Sequence, residues 1–213
     1  MSNFTHINGL ISRMPELQIC EPQIKEATSE IIAAYEKRNK VLICGNGGSN
    51  ADADHIVGEL MKGFKKKRPI DDETREMLVS VDAEVGTALA QGLQVPLRAI
   101  SLSSHVSLNT AFSNDVDAVM IFAQQVLGYG DEGDILLAIS TSGNAKNVYM
   151  AATMAKAMNM KVVLLSGNDG GRLNSISDIS IIAPNTETYI IQEYHLPIYH
   201  AICLEVEEHF FGR

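Results

Sequence analysis

The sequence contains few cysteines, no tryptophan and no long apolar run. Its three cysteines are far apart and form no CxxC pair, so we expect buried, reduced thiols rather than disulfides or a thiolate metal site. No apolar run approaches the roughly 18 residues of a membrane-spanning helix. The opening residues, MSNFTHINGL, lack the charged-then-apolar build of a signal peptide. We therefore expect a cytoplasmic protein without a membrane partner.

Positive charge is also scarce. Lys and Arg number 17 against 26 Asp and Glu, which gives a net charge of −9 and a pI near 5.1. This balance disfavours binding to the phosphate backbone of nucleic acids. The basic run between Lys62 and Arg68 is typical of a solvated helix end, and the alternative is a lysine that reaches a substrate phosphate.

Apolar runs and helical patterns alternate along the chain. With 213 residues, of which 46% are hydrophobic, this predicts one α/β domain with a parallel sheet covered on both faces. The predicted strands are 41–45, 98–102, 134–140, 161–166 and 179–183. The predicted helices are 21–40, 49–65, 116–127, 144–158 and 189–211. Pro197 lies inside the last helix, where a kink or break is expected.

Residues 69–96 interrupt this alternation without adding a strand. Asp71 or Asp72 is a candidate cap for a helix whose apolar residues are Met77, Leu78, Val81 and Val85. We predict an inserted helix that packs over the mouth of the site and is dispensable for folding. Residues 1–40 are predicted to form an N-terminal helical segment of the same domain.

Two loops follow predicted strands: GNGGSN at 45–50 and STSGN at 140–144. In an open parallel sheet, ligands bind at the carboxyl ends of the strands. Glycines let the backbone approach a ligand, and the helix that begins at Ser49 or Asn50 favours an anion at its N-terminus. Each loop alone also fits a plain tight turn. Together they favour a phosphorylated ligand, and neither is an ATP-hydrolysing P-loop or a dinucleotide fingerprint.

Histidines and carboxylates mark two helices. His55 and Glu59 share one face of the second helix, where a metal pair, an acid–base pair or a surface ion pair would each fit the spacing. Gln192, His195 and His200 lie in the apolar last helix. Gln192 and His200 are about 12 Å apart along a helix axis, so both reach one metal ion only if it lies between them. Spacing alone does not choose between His195 and His200.

The ordered set GNGGS, H-x-x-x-E, N-D, S-T-S-G-N and Q-E with a later histidine resembles the phosphoheptose (sedoheptulose-7-phosphate) isomerases. These are proteins with a single SIS (sugar isomerase) domain. The resemblance implies a three-layer α/β/α sandwich with a five-stranded parallel sheet. It also implies a homotetramer with active sites between subunits, and we expect helix 21–40 and the last helix to build the interfaces.

The resemblance further implies an aldose–ketose isomerase that converts sedoheptulose 7-phosphate to D-glycero-D-manno-heptose 7-phosphate through an enediol, for heptose and glycan biosynthesis. Its base would be Glu59 and its acid His200. One zinc ion per subunit would be held by His55, Glu59, Gln192 and His200. The candidate substrate contacts are Asn46, Gly47, Gly48, Ser49, Glu59, Asn114, Asp115, Ser140, Thr141, Ser142 and Gln192.

Four features depart from the family pattern. Ala145 stands where the family has a serine, Gly63 where it has an arginine, and Tyr189 where it has an acidic residue; the segment 69–96 has no counterpart. These departures bear on the exact sugar more than on the reaction class. The alternative function is a non-catalytic SIS-domain binding protein, either a replication-initiator regulator of the DiaA type or a phosphosugar sensor. Glu59 favours the enzyme.

Overall fold

The sheet in the computed structural model, which describes residues 4–212, has five parallel strands. They are β1 Val41–Cys44, β2 Ala99–Ser101, β3 Ile135–Ser140, β4 Lys161–Gly167 and β5 Ile179–Ala183. Their order across the sheet is β2-β1-β3-β4-β5. The chain therefore reverses direction of winding between β1 and β3, and the carboxyl ends of these two strands flank the crevice where such sheets bind ligands.

Helices cover both faces of the sheet. The α-helices among residues 4–212 are α1 Thr5–Arg13, α2 Glu21–Glu36, α3 Gly48–Met61, α4 Asp72–Val81, α5 Ala83–Gly92, α6 Val106–Phe112, α7 Ile121–Tyr129, α8 Lys146–Ala157, α9 Gly171–Asn174 and α10 Thr188–Phe211. A 3₁₀ helix, Pro15–Cys20, precedes α2, and a π-helical turn with a 3₁₀ turn joins α6 to α7. The helix predicted at 116–127 thus begins later, at Ile121.

The core has two layers because successive strand residues point to opposite faces. Val41 and Ile43 of β1 pack in the layer that contains α2, α3 and α10. Leu42 and Cys44 pack in the layer of α7 and α8. The three-layer α/β/α sandwich is therefore confirmed.

Helix α2 uses its apolar face inside the chain. Ile24, Ala27 and Ile31 are at most 3% exposed and belong to the core layer. That face therefore packs within the chain, and the subunit interface predicted at this helix stays a prediction. Helix α10 runs unbroken past Pro197, so the predicted break does not occur. No helix in the described part of the chain is both long and apolar enough to cross a bilayer.

The segment 69–96 forms two helices, α4 and α5, rather than the predicted one. Asp82 interrupts the helix with an extended backbone, and its carboxylate accepts hydrogen bonds from the N–H groups of Glu84 and Val85. The two helices pack closely, since a Cβ atom on Gly86 would lie 2.2 Å from the carbonyl oxygen of Leu78. We call α4 and α5 the hairpin. Three residues predicted to cover a surface are instead 55–87% exposed: Met77, Val81 and Val85.

The base of the hairpin is held by a buried ion pair. Arg68 and Glu207 are 2.8 Å apart, with side chains 0% and 1% exposed. The Glu207 carboxylate also accepts hydrogen bonds from the backbone N–H groups of Phe64, Lys65 and Lys66. The prediction of a solvated basic run is therefore wrong for Arg68, because α10 supplies a carboxylate that the local sequence does not reveal.

Candidate active site

The glycine loop, residues 45–50, leads from β1 into α3 against the start of α10. Gly47 has a φ of +57°, a conformation that favours glycine. A Cβ atom on Gly48 would lie 2.3 Å from Nε2 of Gln192, so this position has no room for a side chain. Ser49 is 4% exposed. The loop thus carries its backbone close to the candidate residue of α10.

The serine loop, residues 140–144, lies beside the glycine loop as predicted. Gly143 has a φ of +64°, and a Cβ atom there would lie 1.8 Å from the carbonyl oxygen of Gly170. The side-chain amides of Asn46 and Asn147 exchange two hydrogen bonds of 2.9 and 2.8 Å and so join the glycine loop to α8. Ser140 is buried, whereas Ser142 is exposed. Thr141 lies between them, half-buried. The two loops together form the crevice between β1 and β3.

His55 and Glu59 of α3 meet α10 just behind the glycine loop. The Nε2 atom of His55 lies 3.2 Å from Oε1 of Glu59. Its other ring nitrogen, Nδ1, is 2.9 Å from the hydroxyl of Tyr199. Glu59 is also 3.3 Å from Nζ of Lys62. The i,i+4 pair is therefore part of a contact between two helices, because Tyr199 of α10 holds the imidazole from the inner side.

His200 belongs to the same cluster. Its ring centroid lies 5.0 Å from that of His55 and 5.4 Å from that of Phe64. Burial lowers the pKa of His200, and the neighbouring His55 lowers it further, so the imidazole is neutral near pH 7. Its Nε2 atom is buried without a hydrogen-bond partner among the described residues.

His195 lies outside this cluster, so the structure distinguishes it from His200, which the spacing alone could not do. Its side chain is fully buried, and its Nε2 atom is 3.2 Å from the carbonyl oxygen of Ser166 at the end of β4. Burial lowers its pKa to about 4. His195 therefore packs as a neutral core residue, and His200 is the histidine that joins His55 and Glu59.

Tyr199 faces a second group, Asp52 of α3. Burial raises the pKa of Tyr199, and the Asp52 carboxylate raises it further. Burial also raises the pKa of Asp52, against the opposing effects of Tyr199 and His55. The Oδ2 atom of Asp52 is buried and makes no hydrogen bond of normal geometry. The Tyr199 hydroxyl thus lies between a carboxylate and an imidazole.

The candidate metal ligands do not converge on one point in this structure. Gln192 packs on Gly48, at the start of α3, whereas His55 lies about 10 Å further along that helix. Among residues 4–212, no three His, Cys, Asp or Glu side chains are grouped so as to hold a metal ion. The donor types of His55, Glu59 and His200 nevertheless suit zinc, and the buried, unpaired Nε2 atom of the half-buried His200 is a free nitrogen donor.

Asn114 and Asp115 are exposed in the π-helical turn after α6, and the Asn114 amide donates to Asp115 over 2.9 Å. Within residues 4–212, no recorded hydrogen bond connects this pair to the other candidate residues. The structure thus brings His55, Glu59 and His200 together, and Gln192 to the glycine loop. It leaves Asn114 and Asp115 outside these contacts.

A cavity of about 360 Å³ lies on the other side of His200. Besides His200 it is lined by Lys65 and by residues of α1, among them His6 and Arg13. The sequence reading missed α1 as a neighbour of the site, and it also missed Asp52 and Tyr199. No local pattern indicates these three, since each acquires its role through contacts between elements far apart in the chain.

The departure at Gly63 has a structural reason. A Cβ atom there would lie 2.3 Å from the carbonyl oxygen of Lys66 and 2.8 Å from Oε1 of Gln94. The N–H of Gly63 donates to that same Gln94 oxygen over 2.8 Å. The base of the hairpin therefore fills the position where the family pattern has an arginine. Ala145 precedes α8 and gives no side-chain cap, and Tyr189 is 62% exposed.

Comparison with known proteins gives one consistent result. The SIS-domain family model matches residues 4–90 and 78–167. The phosphoheptose isomerase of Helicobacter pylori strain P12 is 37% identical over 194 residues, covering 91% of this chain and 88% of the relative. Phosphoheptose isomerase 2 of Campylobacter jejuni is 38% identical over 190 residues, with coverage of 89% and 82%.

Two solved structures are similar throughout. The phosphoheptose isomerase GmhA from Neisseria gonorrhoeae has a TM-score of 0.74 and 29% identity, with 95% of both chains covered. A phosphoheptose isomerase from Francisella tularensis has a TM-score of 0.72 and 30% identity, with coverage of 98% of this chain and 100% of the other.

Proposed function

This chain belongs to the SIS-domain phosphoheptose isomerases, and we propose that it interconverts sedoheptulose 7-phosphate and D-glycero-D-manno-heptose 7-phosphate through an enediol. One observation carries the proposal: α3 and α10 bring Glu59 and His200 around the imidazole of His55, next to the crevice. A carboxylate and an imidazole beside a phosphate-binding crevice are what an aldose–ketose isomerisation requires. The product would serve heptose and glycan biosynthesis.

In this mechanism the crevice binds the phosphate and Glu59 moves a proton between neighbouring carbons. Glu59 accepts the proton from the hydroxymethyl carbon of the ketose, while His200 donates a proton to the carbonyl oxygen, which gives the enediol. The first proton then returns to the adjacent carbon. The hydroxyl on the former hydroxymethyl carbon gives its proton to His200, which yields the aldose. A neutral imidazole that serves the substrate oxygens suits this chemistry, in agreement with the lowered pKa of His200.

The proposed cofactor is one zinc ion per subunit, held by His55, Glu59, Gln192 and His200. Two imidazoles, a carboxylate and an amide oxygen are donors that zinc accepts. When bound, the ion would polarise a carbonyl or hydroxyl oxygen of the sugar. Gln192 would have to leave Gly48 to join the other three ligands.

The proposed assembly is a homotetramer with active sites at subunit interfaces, in the cytoplasm. The family resemblance and the exposed apolar residues of the hairpin support the assembly, and the three buried free thiols support the cytoplasm. Light scattering at micromolar concentration should give four times the subunit mass of 23.2 kDa. A clean monomer would contradict the proposed assembly.

The deciding experiment is a panel of seven-, six- and five-carbon ketose phosphates, assayed with and without chelator and in deuterated water. Turnover should be highest with sedoheptulose 7-phosphate, with deuterium incorporated into the sugar. Glu59→Gln should lose ~10²–10⁴ of kcat and abolish the exchange, because exchange needs only the base. Glu26→Gln, the same change at an exposed site on α2, is the control. Absence of wild-type turnover on every sugar would overturn the proposal.

A further inference from the structure

Asn147 is a polar residue of α8 to which the proposed mechanism gives no role. It lies half-buried in the first turn of that helix, and its carboxamide faces that of Asn46 in the glycine loop. Nδ2 of Asn46 donates to Oδ1 of Asn147 over 2.9 Å, and Nδ2 of Asn147 donates to Oδ1 of Asn46 over 2.8 Å. Within residues 4–212, no other recorded hydrogen bond joins the glycine loop to α8. The pair therefore determines how Asn46 is held at the crevice.

The backbone of α8 fixes the direction in which the Asn147 carboxamide points. Its Oδ1 atom also accepts a hydrogen bond from the N–H of Val148 over 3.0 Å. That N–H lies in the first turn, where it has no partner within the helix, and Ala145 at the cap position offers no side-chain acceptor. A carboxamide rotated by half a turn would place its NH₂ group against this N–H, donor against donor. The oxygen of Asn147 therefore stays on the side of Val148.

The orientation of Asn147 in turn fixes that of Asn46. Since Asn147 presents an oxygen and an N–H in set positions, the NH₂ group of Asn46 lies opposite that oxygen and its own oxygen opposite that N–H. A carboxamide has two N–H donors and two acceptor lone pairs, and the pair uses one of each. One N–H and one lone pair of the exposed Asn46 side chain thus remain without a recorded hydrogen bond among the described residues.

These remaining groups suit a phosphosugar, whose hydroxyls donate and accept and whose phosphate oxygens accept. We propose that Asn147 is a positioning residue of the active site, which holds the Asn46 carboxamide in the orientation that presents its free N–H to the oxygens of the substrate. Asn147 acts through Asn46 and does not touch the substrate itself. A side chain that is oriented before the ligand arrives loses less conformational freedom on binding. This inference rests on the proposed function, which places the substrate at Asn46.

A purely structural role for the pair makes a different prediction. The two hydrogen bonds would then tie the glycine loop to α8, and their loss would lower the free energy of unfolding without changing the affinity of the folded protein for its ligand. The positioning role predicts weaker binding even under conditions in which every molecule of the variant is folded. Affinity, measured apart from stability, therefore separates the two roles.

The test measures binding and turnover separately on the full chain. Titration calorimetry with sedoheptulose 7-phosphate gives Kd, and initial rates give kcat and KM. Asn147→Leu keeps about the size of the side chain and removes both hydrogen bonds to Asn46. Kd and KM should rise ~5–10-fold, as for the loss of one well-placed hydrogen bond to the substrate. We expect kcat to stay within about twofold, because ground-state and transition-state binding weaken together.

A second variant guards against a local effect of leucine on the helix. Asn147→Ser introduces a residue that suits the first turn of a helix but is too short to reach Asn46, and it should show the same rise in Kd. Thr153→Val is the matched control. It removes a side-chain hydrogen bond from the same helix, the one to the carbonyl oxygen of Tyr149 over 2.9 Å. It should leave Kd and KM within about twofold of wild type, and urea unfolding confirms that each variant is folded in the assay.

A double-mutant cycle shows whether Asn147 acts through Asn46. Asn46→Ala alone should weaken binding at least as much as Asn147→Leu. Adding Asn147→Leu to Asn46→Ala should then change Kd by less than about twofold, because no carboxamide is left to orient.

Three outcomes would overturn the inference. The first is a Kd within about twofold of wild type in both Asn147→Leu and Asn147→Ser. The second is an effect of Asn147→Leu that is as large in the Asn46→Ala background as in the wild type. The third is a wild type that does not bind sedoheptulose 7-phosphate. Failure of the isomerase reaction is a separate result: a wild type that binds the sugar without turnover, and loses affinity in Asn147→Leu, would support the positioning role and refute the activity.

Discussion

The crevice and the hairpin differ in how far the chain covers its own side chains. Around the crevice, backbone and side chains touch so closely that Gly48 and Gly143 have no room for a Cβ atom. In the hairpin, α4 buries no residue, and Val81 at its tip is 87% exposed. Close packing within the single chain thus sets the geometry of the crevice. The hairpin is stabilised only at its base and by its helix caps.

This difference bears on function as well as on stability. A site that binds a phosphosugar benefits from loops whose geometry is set before the ligand arrives. The hairpin meets Gly63 and Arg68 at its base, where the N–H of Gly63 donates to Gln94 and the carbonyl oxygen of Arg68 accepts from the N–H of Val95. Its base is therefore part of the site region, and its tip is not.

The largest effect is expected at the hairpin base. Glu207→Gln would leave the buried Arg68 guanidinium without its partner, and we expect a loss of ~3–5 kcal/mol in the free energy of unfolding. Glu208→Gln is the control. The carboxylate of Glu208 is 40% exposed and pairs with Lys66 over 2.9 Å, so that change should cost ~0–1 kcal/mol. Urea unfolding measures both. Equal losses would mean that the buried ion pair contributes no more stability than the exposed one.

The second prediction concerns the pH dependence of stability that the buried His195 causes. Its pKa is about 4 in the folded chain against 6.5 ordinarily, so the neutral side chain stabilises the fold above pH 6.5. That stabilisation, ~3 kcal/mol, should be lost as pH falls from 6.5 to 4. Unfolding curves across this window should show the slope, and His195→Gln should reduce it. A slope that His195→Gln leaves unchanged would contradict this prediction.

The third prediction concerns the break between α4 and α5. Asp82 caps α5 through two backbone N–H groups, and Asp82→Ala should cost ~1 kcal/mol. Asp72→Ala is the control, since Asp72 is 95% exposed and its nearest cation, Arg75, is 3.8 Å away. Thermal unfolding with both variants decides the matter. A cap variant as stable as the control would mean that the hairpin tip contributes little to the cooperative fold.

The sequence alone predicted the sheet and most of the crevice. Buried strands such as β3 are continuous apolar runs, and the glycine and serine loops follow them with characteristic residues. These features are local, so periodicity and turn chemistry reveal them. The resemblance then supplied the family, which the comparisons bear out.

Contacts between distant elements could not be predicted in this way. Arg68 read as solvated because Glu207 lies 139 residues away along the chain. Tyr199 was not singled out, because its partner His55 is 144 residues away along the chain. The single helix predicted over 69–96 was wrong for a different reason: Asp82 lies within an apolar helical pattern, and its role as a cap depends on a backbone turn that the pattern does not specify.

The smallest effect is expected at the hairpin tip. Val81 loses little surface on folding, so Val81→Ser should change the free energy of unfolding of an isolated subunit by no more than ~0.5 kcal/mol. Val148→Ser removes a fully buried valine of α8 and should cost at least ~1.5 kcal/mol. Both should be measured at two protein concentrations, because stability that comes from assembly depends on concentration. A loss above ~1 kcal/mol for Val81→Ser that grows with protein concentration would show that a second subunit covers the tip. The contrast between crevice and hairpin would then hold for the single chain but not for the assembled protein.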